Sequence, residues 1–163
     1  MSSDQHQQAP AAMDFPWPPS NGIYGTYDLH CHCGAIRYTM KISPPLYEEH
    51  TQGKEQYVAD ECDCSHCERQ GYVSVHPLSK DVEFTQGLED RMEYYCGAKN
   101  NPHWFCRKCG SVVGSDLTHL MTEVLGMENR MTVNVRMLKD YDPDKLMTRK
   151  MKFMKNMPPK YEV

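Results

Sequence analysis

Seven of the eight cysteines fall into three short clusters, Cys31-x-Cys33, Cys62-x-Cys64-x-x-Cys67 and Cys106-x-x-Cys109. No other feature of the chain limits its fold as tightly. Thiols this closely spaced bind zinc in a protein that carries no secretion signal. The opening stretch, MSSDQHQQAPAAMDFPWPPS, has neither a basic start nor an apolar run. It therefore reads as part of a cytoplasmic protein, in a compartment where disulfides are rare. The count divides unevenly. Two pairs complete one site of four ligands, and three thiols are left for a second.

Cys106 and Cys109, in FCRKCGS, have the spacing of a zinc knuckle, and Gly110 permits the tight turn behind it. Cys31 and Cys33, in HCHCGA, supply the other two ligands, followed in the same way by Gly34. A metal on these four would staple the first strands to a later hairpin and contribute directly to folding. Cys62, Cys64 and Cys67 can grip one ion from a single loop. Two readings of that loop stand side by side. In one it is a second structural zinc, completed by His66, Cys96 or another residue. In the other the fourth position is open to water or substrate. Three thiolates blunt the Lewis acidity of zinc, so such a site suits a soft substrate thiolate better than hydroxide. A redox dithiol is the third reading, but no thioredoxin-like strand–helix–strand pattern accompanies it.

The chain reads as one mostly β domain with flexible ends: a tail over 1–21, the domain over 22–138, and an extension over 139–163 that packs on it. Ile36, Tyr38, Met40 and Ile42 alternate with polar residues, the pattern of a strand buried on one face. Short strand-like runs recur at 56–61, 72–76, 82–85, 91–96, 111–114, 123–127 and 131–137, punctuated by Gly, Pro, Asn and Asp. Asp142–Lys145 suggests one helical turn, Met151 and Phe153 one strand face. Phe15 and Trp17 are the residues of the N-terminal tail suited to docking. The formal charge of -4 gives no support to nucleic-acid binding. No apolar run is long enough to span a membrane.

HCHCGAIRY, CDCSHCERQG and FCRKCGS, in that order and spacing, resemble the glutathione-dependent formaldehyde-activating enzyme family, also called the GFA or CENP-V domain family. The similarity covers about residues 25–138. The segment VNVRMLKDYDPDKL is similar to the part that closes the domain in fungal-type members. The resemblance implies an all-β, zinc-binding complex β-sandwich of several antiparallel sheets. It implies a structural zinc on Cys31, Cys33, Cys106 and Cys109, and a second, more labile zinc on Cys62, Cys64 and Cys67. The activity implied is of carbon–sulfur lyase type: glutathione and formaldehyde combine to S-hydroxymethylglutathione.

Around the three-thiol loop, Arg69 can orient a substrate carboxylate or form a surface salt bridge. His66 can be a ligand, move a proton or simply sit in an exposed loop, and His103, just before the Phe105–Cys106 knuckle, can also face the site. Tyr94 and Tyr95 lie on opposite faces of one strand, so at most one reaches a given pocket. Tyr95 is taken as the candidate acid. Met121, Met127, Met131 and Met137 are expected on the pocket side, suited to an apolar or aromatic substrate. Cys96 reads as a small buried hydrophobe or a fourth ligand. Pro158-Pro159-Lys160-Tyr161 matches a short WW-domain ligand. Two alternatives accompany the glutathione reaction. One is a lyase, isomerase or dehydratase of a specialised metabolite that needs no glutathione. The other is a non-catalytic zinc module that binds protein partners.

Overall fold

The structure is a computed structural model and describes Phe15 and residues 17–163. Of the tail expected over 1–21, residues 1–14 and 16 lie outside the described residues. In chain order the strands are β1 Gly25–His30, β2 Arg37–Ile42, β3 Val58–Cys62, β4 Val73–Val75, β5 Val82–Gln86, β6 Arg91–Tyr95, β7 Pro102–Cys106, β8 Val112–Asp116, β9 Met131–Asn134 and β10 Met147–Met151. A six-residue helix, α1 Ser65–Gln70, follows β3. The chain is therefore all-β in class, and no helix among the described residues is long and apolar enough to cross a membrane.

Two sheets form. The smaller has the order β1-β2-β5; the larger runs β10-β3-β4-β9-β8-β7-β6. Every pairing is antiparallel except β10 on β3. The alternation in β2 has the consequence read from it. Ile36, just before the strand, and Tyr38, Met40 and Ile42 are buried, and one continuous core draws them together with Val75, Val113 and Val133 of the larger sheet. Phe84 of β5 meets Trp104 of β7 edge-on at 5.9 Å, and the Tyr38 hydroxyl donates to the Val113 carbonyl at 3.2 Å. Such contacts fix the sheets face to face, because a buried hydroxyl without a partner would be costly.

Two expectations fail locally. The run 123–127 is not a strand: His119–Val124 winds into a π-helical turn with Met121 buried. Asp116, Thr118 and Asn129 close that loop with their own hydrogen bonds, Asn129 Nδ2 to Thr118 Oγ1 at 2.7 Å among them. Side-chain competition of this kind overrides the strand preference of Val124 and Leu125. The run 131–137 is a strand only as far as Asn134. Its side chain then caps a 3-10 turn by accepting from the Arg136 N–H. At the other end, Trp17 packs on the core, stacked on Phe15 and lying 5.5 Å from the His76 ring.

Candidate functional site

The two cysteine groups form where the strands end. Cys31 and Cys33 follow β1, Cys106 closes β7, and Cys109 sits in the turn to β8. All four sulfurs lie within 4.8 Å of one another. Cys31 and Cys33 are 3.6 Å apart, and Cys33 and Cys106 are 3.8 Å apart. Tetrahedral zinc with bonds of about 2.3 Å would separate its sulfurs by about 3.8 Å, so the donor set fits that ion. Both pairs use one device. Gly34 and Gly110 stand at φ +74° and +75°, and their N–H groups close tight turns on Cys31 and Cys106. Burial pushes the Cys109 thiol up, but hydrogen bonds from the Ser111 hydroxyl and backbone N–H groups outweigh it and bring it to about 6. Asp90 accepts from Arg107 Nε and Lys108 Nζ, both at 2.8 Å, and so pins the knuckle from outside.

The second group comes from one short segment. Cys62 ends β3, Cys64 is the N-cap of α1, and Cys67 lies in the first turn of that helix. The sequence folds this way because the Cys64 sulfur accepts from the Cys67 N–H and Gly71, at φ 61°, caps the far end. The three sulfurs again lie within 4.8 Å of one another, and no His, Asp, Glu or fourth Cys among the described residues joins them. Hydrogen bonds from the Cys62 and Cys67 thiols hold Cys64 far down, to about 2. The same sharing pushes Cys62 up to about 12 and Cys67 higher still. The cluster therefore carries one negative charge readily, and a cation at its centre would let the other two thiols ionise. The donor set thus fits zinc.

A cavity of about 380 Å³ adjoins this second group. Phe105 and Val112 pack against the thiols on one side and line the cavity on the other. The helical period turns Cys67 inward, whereas His66, Arg69 and Gln70 face the cavity. Across it stand Tyr94 and His103, directly paired between β6 and β7 and so on one sheet face. The His66 ring lies 4.3 Å from His103 and 5.7 Å from Tyr94. His66 Nε2 and His103 Nδ1 are buried without hydrogen-bond partners. Burial lowers both imidazoles, His103 to about 4 with the help of the neighbouring His66.

The structure brings His66, Arg69 and His103 together, and Cys96 lines the same cavity without joining the metal group. It does not bring Tyr95. Strand parity sends that side chain to the other face, where its hydroxyl donates to Glu93 at 2.9 Å. Tyr94 is the tyrosine at the cavity, and the knuckle gives the parity: Cys106 faces the core, so Phe105 and His103 share the opposite face, the one that lines the cavity. The methionines are also elsewhere. None of the four expected there lines the cavity, and Met121 and Met131 are buried in the protein interior. Aromatic rings take their place. Sequence reasoning missed Tyr161, which reaches the cavity from the C-terminal segment and sets its ring 5.0 Å from the Arg69 guanidinium.

The profile of the family described as glutathione-dependent formaldehyde-activating enzyme matches residues 26–155. The match takes in β10 and most of the segment expected to be an extension. The crystal structure of a Rhodobacter sphaeroides protein, a structural-genomics target, is similar at a TM-score of 0.53 and 25% identity, over 75% of this chain and 99% of that one. No curated protein matches.

Proposed function

The chain belongs to the glutathione-dependent formaldehyde-activating enzyme family, and on that premise we propose a zinc enzyme of carbon–sulfur lyase type. It adds a thiol to a small aldehyde and releases the thiol in reverse. One observation carries this reading: three thiols within 4.8 Å, with no fourth ligand among the described residues, stand against a cavity. Glutathione with formaldehyde is the pair the family name suggests.

Zinc bound by Cys62, Cys64 and Cys67 would supply a position at which a substrate thiol stays ionised at neutral pH. The protein's own residues do the rest. Arg69 faces the cavity and gathers an anionic group of the substrate, orienting the sulfur toward the carbonyl carbon. When the carbon–sulfur bond forms, the carbonyl π pair moves to oxygen. The proton given up by the thiol ends on that oxygen. The imidazoles of His66 and His103 line the cavity and move it. Phe105 and Val112 keep water from the sulfur side. The eight free thiols suit a reducing, cytoplasmic setting.

The test is Cys64→Ala, assayed for zinc content, fold and turnover of glutathione with formaldehyde and of a small aldehyde panel. The expected variant folds, holds one zinc in place of two, and loses turnover. A variant that unfolds makes the second group structural, and unchanged turnover removes it from the chemistry.

A further inference from the structure

The cavity wall and the C-terminal segment together narrow what the site can hold. Tyr94, Phe105 and Tyr161 give it aromatic faces, and among the described residues Arg69 is its one guanidinium or ammonium group. No carboxylate among the described residues lines it. Glutathione at neutral pH carries two carboxylates and an ammonium. Arg69 can serve one of those carboxylates. The second and the ammonium find no partner of opposite charge in that lining, so they stay in water at the mouth and add nothing to binding, whereas any part of them drawn inside would cost free energy.

The C-terminal segment is built to form this wall. β10 lies parallel to β3, with Met151 opposite Cys62, and so delivers the chain beside the thiol group. The Lys155 N–H then donates to Asp63 Oδ1 at 3.1 Å, between two of the ligands. Beyond that, the Tyr161 ring stands over Arg69. The guanidinium is fixed from below as well, because Arg69 Nη1 donates to the Ser65 carbonyl at 2.9 Å. That bond uses one of the five N–H donors and leaves others for an anion. Tyr161 is itself 50% exposed, so it is a wall with water behind it.

We propose that the cavity takes a small planar monoanion, a thiol or aldehyde with one carboxylate and a flat apolar body, and that Tyr161 sets this specificity. The carboxylate sits on Arg69, and the body lies among Tyr94, Phe105 and Tyr161. This rests on the reading of Cys62, Cys64 and Cys67 as the reactive centre.

The experiment is calorimetric titration of the zinc-loaded full chain with 4-mercaptobenzoate, glutathione, benzoate and 2-mercaptoethanol. The expected Kd of 4-mercaptobenzoate is at least tenfold below that of glutathione. Tyr161→Ala raises it about five- to tenfold, leaves glutathione within twofold, and Tyr161→Phe restores tight binding. Glutathione binding as tightly as 4-mercaptobenzoate, or Tyr161→Ala changing both alike, overturns the proposal. Benzoate separates the two readings. If benzoate binds as tightly as its thiol analogue, with the same dependence on Tyr161, the specificity stands and the thiol-binding zinc falls. If 2-mercaptoethanol binds but the aromatic acid shows no advantage over glutathione, the specificity falls and the thiol-binding zinc stands.

Discussion

His76 should make this protein lose stability in mild acid, by an amount the structure sets. Its ring is buried under Trp17, and its Nδ1 has no hydrogen-bond partner. Burial, then the positive charges of Arg130 and Arg149, lower the imidazole to about 3. Tyr57 faces the same pocket through its hydroxyl, which accepts from the His76 N–H. An unfolded histidine titrates near 6.5, so between pH 6.5 and 3 the unfolded chain binds the extra proton. Stability contributed by the neutral ring is complete above pH 6.5 and is lost as pH falls toward 3. Between pH 7 and pH 5 the loss is at most about 2 kcal/mol. Asp60 lies 3.9 Å from Nδ1 and returns part of it, because a charged ring would meet a carboxylate there. The expected figure is therefore about 1–2 kcal/mol. His76→Phe keeps the ring and removes the titration. Urea unfolding of both proteins at pH 7 and pH 5 gives the difference directly, and acid loss of metal cancels between them. At pH 7 the variant should lie within about 1 kcal/mol of the parent, since no hydrogen bond is removed. Parallel pH dependences in the two proteins would refute the reasoning.

Other contacts in the fold set four further outcomes. Cys106→Ala should fail to fold, whereas Cys64→Ala should fold with one zinc; circular dichroism and metal analysis separate them. Arg149→Leu strands the buried Asp60 carboxylate, whose Oδ1 it holds at 2.6 Å, and should cost roughly 2–3 kcal/mol in denaturant unfolding, because the arginine itself is half exposed. Gly114→Ala drives a Cβ into the Thr132 carbonyl across β8 and β9; a cost of about 2 kcal/mol or more is expected, and a thermal midpoint unchanged from the parent would contradict that close approach. Asp90→Asn removes the acceptor shared by Lys108 and Arg107, whose hydrogen bonds hold the Asp90 carboxyl below its usual range; the parent's advantage over the variant should be full at neutral pH and fade as acid protonates Asp90.

What could be read from the chain was what is local. The thiol groups stood out because their ligands are neighbours in sequence, and β2 stood out because one face is core and the other is not. β4 and β9 are buried on both sides, yet their β-branched residues still marked them. β10 could not be read this way. Its burial is almost uniformly exposed, and its place comes from a parallel pairing with β3 and from Arg149 reaching Asp60 89 residues away. The cavity tyrosine was hidden for a related reason. Parity shows that Tyr94 and Tyr95 oppose each other, but only the pairing of β6 with β7 tells which one joins His103. Helix α1 was missed because its start is capped by a sulfur, an unusual acceptor.

The two thiol groups look alike in chemistry and differ in what they tie together. Cys33 and Cys106 are 73 residues apart, and a metal between their pairs joins the smaller sheet to the larger. Cys62 and Cys67 close a loop of five. Closing the longer loop removes about 2.4 kcal/mol more conformational freedom from the unfolded chain, by the logarithmic dependence on length. The surroundings point the same way. Cys31 and Cys106 are fully buried within the main core. Around the second group, among the described residues, only Cys67, Tyr72 and Val112 are buried together, with partly buried neighbours. That satellite holds too little apolar surface to be rigid on its own. A metal in the first group would thus be coupled to global unfolding, and one in the second only to the opening of a loop. The same lightness of packing leaves the second group beside a cavity, with no fourth ligand among the described residues and a wall contributed by Tyr161. The features that would make it the weaker staple are the ones that the proposed chemistry needs.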